Sequence, residues 1–571
     1  MNYFNRLLFV FCVMFLPAAS LHSQDAEPWR EGIGLYRNIL FVDEQQSVRV
    51  KVTTKQIKES GNPKQWQLFI RDFFHNEVMS LTSAQTSMSV DDNNMWVTII
   101  IPRVHALPSG WYNCELIVKT ANPDITNTAD FCVVPRRFQI NPADAYFAIG
   151  LVPMSVPKHR QPFIREPVAI MLEKLGVHAC KAFYYWKDVQ AAADTPIDFS
   201  EGDRASTILT GHSILLMPTL EDYPQWSWAW KKGELRPGQI PESDWAKKKF
   251  TIGMPQPDEA SYRAFVAKMV TRYKGKIPYW EIGNEVNSVH HGCSETEYAN
   301  LLRWAYETIK KIDPKALVVS SGLTGAKESW IKTVFDAGGG PFCDVIAFHP
   351  YRYPDAIPEK ANTERAEGYG LRSFIDDCRA FKDLADKMPP RTISGKKPLV
   401  WITEVGYSTW GLKGMALHTS VTPEIQAAYM VRMLLLGQAC GIDKFFWWRI
   451  ESTSGGGMGI LGSVEDECQP KPAFAAFATA SRLTEGFTSS ELEVLCDQTV
   501  YVCRIKRGKD TIYALWAIAP GKTAIIKNTV SITGITITGS KFTVEPKQGE
   551  CRIGLSDFPV FLINPQPLIF Q

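Results

Sequence analysis

Net charge is nearly absent from this 571-residue chain: 62 Lys and Arg stand against 60 Asp and Glu, a formal balance of +2. So even a balance gives no electrostatic footprint for nucleic acid or for an anionic membrane surface, and neither is expected as a partner. The 12 cysteines are scattered, with no CxxC pair and no Cys/His set at zinc-ligand spacing. That pattern speaks against a structural zinc site, and neither a metal nor a cofactor is expected. Long hydrophobic runs are also lacking, apart from Leu7 to Ala19, whose 13 residues fall short of the roughly 20 a spanning helix needs. This run follows Arg6 and precedes the small residues Ala18-Ala19-Ser20, the order of a cleavable secretory leader over residues 1–23. The mature protein is therefore expected to be secreted or periplasmic, with no membrane association after cleavage. Loss of Cys12 with the leader leaves an odd number of cysteines, so at least one thiol stays free unless it pairs with another chain. A Cys114–Cys132 bridge between neighbouring strands is one candidate disulfide.

Apolar residues, in contrast, are plentiful. Hydrophobic content is 45% and charged content 21%, the composition of a globular protein with ample core, and the length implies several domains. The 17 Trp and 19 Tyr serve core packing, and rings of this kind also stack on sugar faces. Residues 31–140 alternate with period two: Val48, Val50 and Val52; Trp66, Leu68 and Ile70, with Phe69 breaking the row; Tyr112, Cys114, Leu116 and Val118. Turn signals at Gly61-Asn62-Pro63 and Pro108-Ser109-Gly110 separate the rows. This spacing predicts an immunoglobulin-like β-sandwich, read as an accessory domain in preference to a carbohydrate-binding module. Residues 486–571 return to alternation (Ile512, Ala514, Trp516, Ile518; Val530, Ile532; Ile535, Ile537), with Gly534 and Gly539 as breaks, and predict a second sandwich.

Between them, residues 145–485 alternate strand with helix. Strands are predicted at Tyr146–Leu151, His178–Tyr185, Ser213–Pro218, Ile277–Asn284, Leu317–Ser321, Asp344–His349, Leu399–Glu404 and Lys444–Arg449. A Trp-rich excursion with Trp226, Trp228, Trp230 and Trp245 follows the third. Ser294-Glu295-Thr296-Glu297 is a capping box, and Thr422-Pro423 starts another helix. Eight strands with interleaved helices predict an α/β fold, a TIM (β/α)8 barrel flanked by the two sandwiches.

In such a barrel, chemistry sits at the C-terminal strand ends. Two apolar runs end there in a carboxylate: Trp280-Glu281-Ile282-Gly283-Asn284-Glu285 and Val400-Trp401-Ile402-Thr403-Glu404. Desolvating a carboxylate is costly, so each Glu is expected to be used. A facing pair of carboxyl groups is what glycosidic bond cleavage requires: Glu285 as acid/base, Glu404 as nucleophile. Asn284 and Glu285 point to opposite sides of a regular strand, so the strand end must twist or bulge for both to reach one sugar. His349 and Tyr351 end the sixth strand, and Tyr351 is placed to hydrogen-bond the nucleophile. The eighth strand ends in Trp447-Trp448, one of which should line the pocket floor.

The Glu-Ile-Gly-Asn-Glu run resembles the Glu-x-x-Asn-Glu signature of clan A of the glycoside hydrolases, as in its β-xylosidase, iduronidase and arabinofuranosidase branches. Thr403-Glu404-Val405-Gly406 is similar to the clan's nucleophile strand, and His349-Pro350-Tyr351 resembles its sixth-strand His-x-Tyr. The resemblance covers about 145–485 and implies a retaining enzyme acting on an oligo- or polysaccharide. Val286 stands where many members carry Pro, and Gly283 where some carry Trp. The second-strand Arg of cellulase-type members is absent; Lys181 is the nearest basic residue and a candidate substrate contact. The alternative expectation is a non-catalytic carbohydrate-binding protein on a degenerate barrel.

Overall fold

Each of eight central segments is apolar on both faces, so it can be buried only between an inner core and an outer shell of helices; closure into a barrel satisfies both. The strands are β1 (Phe147–Gly150), β2 (Ala179–Tyr185), β3 (Leu215–Glu221), β4 (Tyr279–Ile282), β5 (Leu317–Ser320), β6 (Val345–His349), β7 (Leu399–Ile402) and β8 (Lys444–Trp447). All neighbours are parallel; β8 pairs with β1 through Phe445 and Phe147, and β5 meets β6 through Val319 and Val345, which closes the ring. The computed structural model describes residues 36–52, 65–90, 96–119, 124–151, 164–229, 256–288, 293–352, 356–361, 371–391, 395–409, 420–452, 457–463, 468–527 and 530–563. The leader, the Gly61-Asn62-Pro63 turn, Trp230 and Trp245 lie outside the described residues.

All eight strands fall where sequence periodicity placed them, with one difference of consequence. The third does not stop at Pro218. Proline removes a ladder donor and usually marks a strand boundary, but here Pro218 lies opposite Ala182, and the strand runs on to Glu221 opposite Tyr185. Thr219 and Leu220 also pair with Glu281 and Ile282 of β4. Three residues beyond the proline are thereby held as strand at the barrel mouth.

The shell is α1 (Glu166–Leu175), α2 (Ser200–Gly211), α3 (Glu259–Tyr273), α4 (Glu295–Ile312), α5 (Glu328–Val334), α6 (Phe374–Lys387), α7 (Pro423–Ala439) and α8 (Pro472–Thr484). Local rules set their ends. Ser294 and Glu297 form the expected capping box on α4, an arrangement worth about 1 kcal/mol. Tyr298, Leu301, Leu302, Ala305 and Ile309 form its buried face. Helices α7 and α8 are buried on nearly all sides, α7 with Arg432 among its buried residues. A helix of that kind needs cover on its outer side too.

The sandwiches supply it. The N-terminal one is a five-stranded sheet over a three-stranded sheet, closed on Val48, Val50, Leu68, Ile70, Ile99, Cys114 and Leu116. The C-terminal one has a six-stranded sheet and a two-stranded pair, Lys522–Lys527 with Glu550–Leu555. Trp111 Nε1 donates to the Pro470 carbonyl at 2.8 Å just ahead of α8. Arg432 of α7 pairs with Glu359 and, at 3.2 Å, with Asp557; the Trp516 indole donates to Glu359 at 2.8 Å.

Two expectations are corrected here. Cys114 and Cys132 do not pair: the register sets Cys114 opposite Ala129 and Cys132 opposite Trp111. Cys114 points into the sandwich core and Cys132 into the interface with the barrel, and thiols on opposite faces of one sheet cannot meet. In the C-terminal sandwich, Val530 is exposed and precedes its strand, and Gly534 lies inside the strand Ile532–Ile535 instead of breaking it. The Phe542 ring covers the space a side chain at 534 would need.

Arg432 and Glu359 have fully buried side chains, so removing one partner strands a buried charge. Arg432→Met is expected to cost about 3–5 kcal/mol, read as a lower midpoint in denaturant. A variant as stable as the parent would show that this joint does not hold the C-terminal sandwich to the barrel.

Candidate active site

Strand parity builds the site. Ala148, Ala179, Met217, Tyr279, Val319, Ala347, Trp401 and Phe446, one from each strand, face inward and close the middle of the barrel. Two residues further along each strand point the same way. Those positions are Gly150, Lys181, Thr219, Glu281, Ser321, His349, Thr403 and Trp448. A dry apolar layer therefore carries a mostly polar one, and the catalytic candidates stand on it.

Lys181 is the hub. Its ammonium, fully buried, lies 2.9 Å from Glu281 and 2.9 Å from Glu404. It also donates to Asn284 Oδ1 at 3.2 Å. Burial works against its charge, but Glu281 and Glu404 outweigh that and raise its pKa. Thr219 donates to Glu281 at 2.5 Å. Lys181, expected as a substrate contact, is engaged by Glu281, Glu404 and Asn284.

Asn284 and Glu285 leave the strand through a tight bend. Gly283 has φ 74° and Glu285 φ 46°, both in the left-handed region, where a non-glycine residue is uncommon. The bend breaks the alternation, so Asn284 reaches Lys181 while Glu285 reaches His349, whose Nδ1 lies 3.1 Å from its carboxyl. The Glu285 amide donates to Gly322 O at 3.1 Å, which ties the bend to the end of β5. His349 Nε2 meets Thr403 Oγ1 at 3.0 Å. The ring lies so close to Gly322 that any side chain there would collide with it and with Thr403. Burial, then Lys181, keeps the His349 pKa well below the ordinary value, so the imidazole is neutral. Tyr351 donates to Glu404 Oε2 at 3.2 Å.

The two carboxyl groups differ in environment. Burial first, and then the charge of Glu404, raises Glu285 to about 8, against the opposing pull of Lys181. Burial raises Glu404 too, while Lys181 and the Tyr351 hydroxyl favour its ionised form. With the ammonium touching Glu404 and not Glu285, the proton belongs on Glu285. Oxygens of Glu285 and Glu404 and a nitrogen of His349 all lie within 4.8 Å of one another.

The tryptophans separate by parity. Trp448 turns inward, covers Gly150 and packs with Phe183, Tyr185 and Tyr351 at the mouth. Trp447 points outward and lies against Tyr407. Sequence reading assigned no task to Thr219, Glu221, Glu281 or Thr403. For Glu281 the signal was present: it shares inward parity with Tyr279 in a strand otherwise apolar. For Thr219 and Glu221, Pro218 concealed it.

A closed (β/α)8 barrel with two carboxyl groups facing each other across its C-terminal mouth is the class of protein this fold and site define. No family model matches the chain, and no curated protein does. Among solved structures, it is similar to a family 39 glycoside hydrolase from the gut symbiont Bacteroides cellulosilyticus WH2, at 20% identity and a TM-score of 0.68, over 92% of this chain and 98% of that one. It is also matched to a GH39 β-xylosidase from Caulobacter crescentus, at 14% identity and a TM-score of 0.47, over 75% and 98%. At these identities the first likeness establishes the fold, barrel and sandwiches together, and the second adds nothing further.

Glu285, His349 and Glu404 have the donor types of a metal site, but the Lys181 ammonium already sits against Glu404 and supplies the positive charge an ion would bring. Zinc or calcium is expected to leave the melting temperature unchanged, since an ion bound here would raise it by mass action. A concentration-dependent rise lost in Glu404→Gln would reveal a metal centre.

Proposed function

We propose that this chain is a retaining glycoside hydrolase. The observation that carries the reading is the closeness of the two carboxyl groups, one oxygen of each lying within 4.8 Å of the other. Retaining enzymes hold their carboxyl groups about 5–5.5 Å apart, and inverting ones need about 6.5–9.5 Å to admit a water. The fold shared with a family 39 glycoside hydrolase supports the same reading.

Each residue then has a task. Protonated Glu285 gives its proton to the glycosidic oxygen as the bond to the anomeric carbon breaks. Ionised Glu404 attacks that carbon from the opposite face and forms a glycosyl ester. Glu285, now a carboxylate, takes a proton from water, which attacks the anomeric carbon and breaks its bond to the Glu404 oxygen, so that Glu404 leaves as a carboxylate. Lys181 and Tyr351 hold one Glu404 oxygen each and leave its carboxylate fixed in orientation. Neutral His349 fixes Glu285 without competing for positive charge. The substrate is an oligo- or polysaccharide, and Trp448 and Tyr185 offer ring faces at the mouth. The leader read in residues 1–23 supports a site of action outside the cytoplasm, which N-terminal sequencing of the mature protein tests.

Glu404→Gln is expected to abolish turnover of every aryl glycoside. Glu285→Gln should lose about 10²–10⁴-fold on poor leaving groups and far less on dinitrophenyl glycosides, which need no proton. A 2-fluoro glycoside should label the peptide that carries Glu404, and NMR of the first product should show the anomer of the substrate. An inverted product would end the retaining assignment.

The pH profile follows from the same group. On a substrate with a poor leaving group, kcat/KM should fall above about pH 8 as Glu285 loses its proton. The direction is set by its role as acid: the active form is the protonated one, present below its pKa. An alkaline limb unchanged in Glu285→Gln would show that another group is titrating.

A further inference from the structure

Strand β3 ends in a carboxyl group with no task in the fold or in the mechanism above. Glu221 shares inward parity with Met217 and Thr219, and its register partner is Tyr185 of the aromatic mouth. The residue is only 5% exposed, and Oε2 is wholly buried with no hydrogen-bond partner among the described residues. Neighbouring cations are already committed: Lys181 to Glu281 and Glu404, Lys187 to Asp222 at 2.7 Å. Tyr185 in turn packs with Trp448 and with Tyr351, which donates to Glu404, and the charges of Asp222, Lys181, Glu404 and Glu281 act on Glu221.

Thr219, Glu281, His349, Thr403, Tyr351 and Glu404 each have a protein partner within 3.2 Å. Leaving a buried polar group unmade costs about 1–3 kcal/mol, and a core position would not keep such a group when Leu or Met fills the same volume. Burial first, and then Asp222, holds Glu221 well above the ordinary carboxyl range. It is therefore a neutral acid that both donates and accepts. What it lacks is a partner of the same two-way kind, and a hydroxyl group is one.

We propose that Glu221 hydrogen-bonds a free ring hydroxyl of the sugar whose anomeric carbon lies between Glu285 and Glu404, and so selects glycosides that carry this hydroxyl unsubstituted. The proposal rests on the glycosidase reading. It extends that reading from the bond that is cut to the sugar that is accepted, because a site built around a polar group discriminates strongly against an analogue that leaves the group unpaired.

The test uses the full-length enzyme, the p-nitrophenyl glycoside it turns over fastest, and the 2-, 3- and 4-deoxy versions of that glycoside. Wild type should lose about 10–100-fold in kcat/KM on one deoxy substrate, the size of a hydrogen bond to a carboxyl group. Glu221→Met should lose a similar factor on the parent glycoside and lose nothing further on that one deoxy analogue. Glu221→Gln, which still donates and accepts, should recover part of the loss. The ligand-free Glu221→Met protein should melt no lower than wild type, and higher if relief of the unpaired carboxyl dominates. A Glu221→Met variant that keeps the wild-type ranking across the deoxy series overturns the proposal and leaves the glycosidase reading intact. So does a lower melting temperature with an equal loss on all four substrates, the mark of a structural role. Wild-type protein inert on every aryl glycoside overturns both.

Discussion

One buried ammonium sets the electrostatics of this barrel. Lys181 lies between Glu281 and Glu404 with no exposure to water. Two carboxylates and one ammonium in that setting leave a net negative charge, which makes a further ionised group beside them expensive. Glu285 answers by keeping its proton, and so does Glu221. The difference between the two carboxyl groups thus follows from which of them the lysine touches. Glu281 holds the lysine, and Thr219 donates to Glu281.

The polar layer can exist because the layer beneath it is dry and complete. A barrel interior is a packed core and not a pore, and here eight inward side chains, among them Tyr279, Trp401 and Phe446, close it. Above them lies one more inward position for each strand, within the strand or just past its end. Seven of those eight positions carry a side chain, and Gly150 stays bare so that the Trp448 ring can lie over it. Site geometry is therefore inherited from rigid strands. The Gly283–Glu285 bend departs from regular strand, and that departure brings Asn284 and Glu285 into one site.

The sandwiches act on the other side of the barrel wall. Helices α7 and α8, buried on nearly all sides, would be exposed without them. The buried Arg432–Glu359 pair, with Trp516 donating to Glu359, joins one sandwich to the barrel. Trp111 joins the other. Ser540 of the C-terminal sandwich also donates to the Ser109 carbonyl of the N-terminal one at 3.3 Å, so the two flanks touch.

Much of this was legible in the sequence. Eight short apolar runs separated by helical stretches dictate eight buried strands, because local periodicity and burial are coupled. Carboxylates at the ends of two of them, with an Asn before one and a His-Pro-Tyr at a third, mark the site, because a charge at the end of an apolar run is too costly to be accidental. The tertiary structure decided the rest, and for one reason: partners far apart in sequence depend on strand length, parity and register, which no local pattern records. Only closure of the barrel turns Trp448 in and Trp447 out, and only sheet register keeps Cys114 and Cys132 apart. Pairing with β2 and β4 carries β3 past Pro218 to Glu221. The meeting of Lys181 with Glu281 and Glu404, on strands two, four and seven, is a property of the closed ring alone.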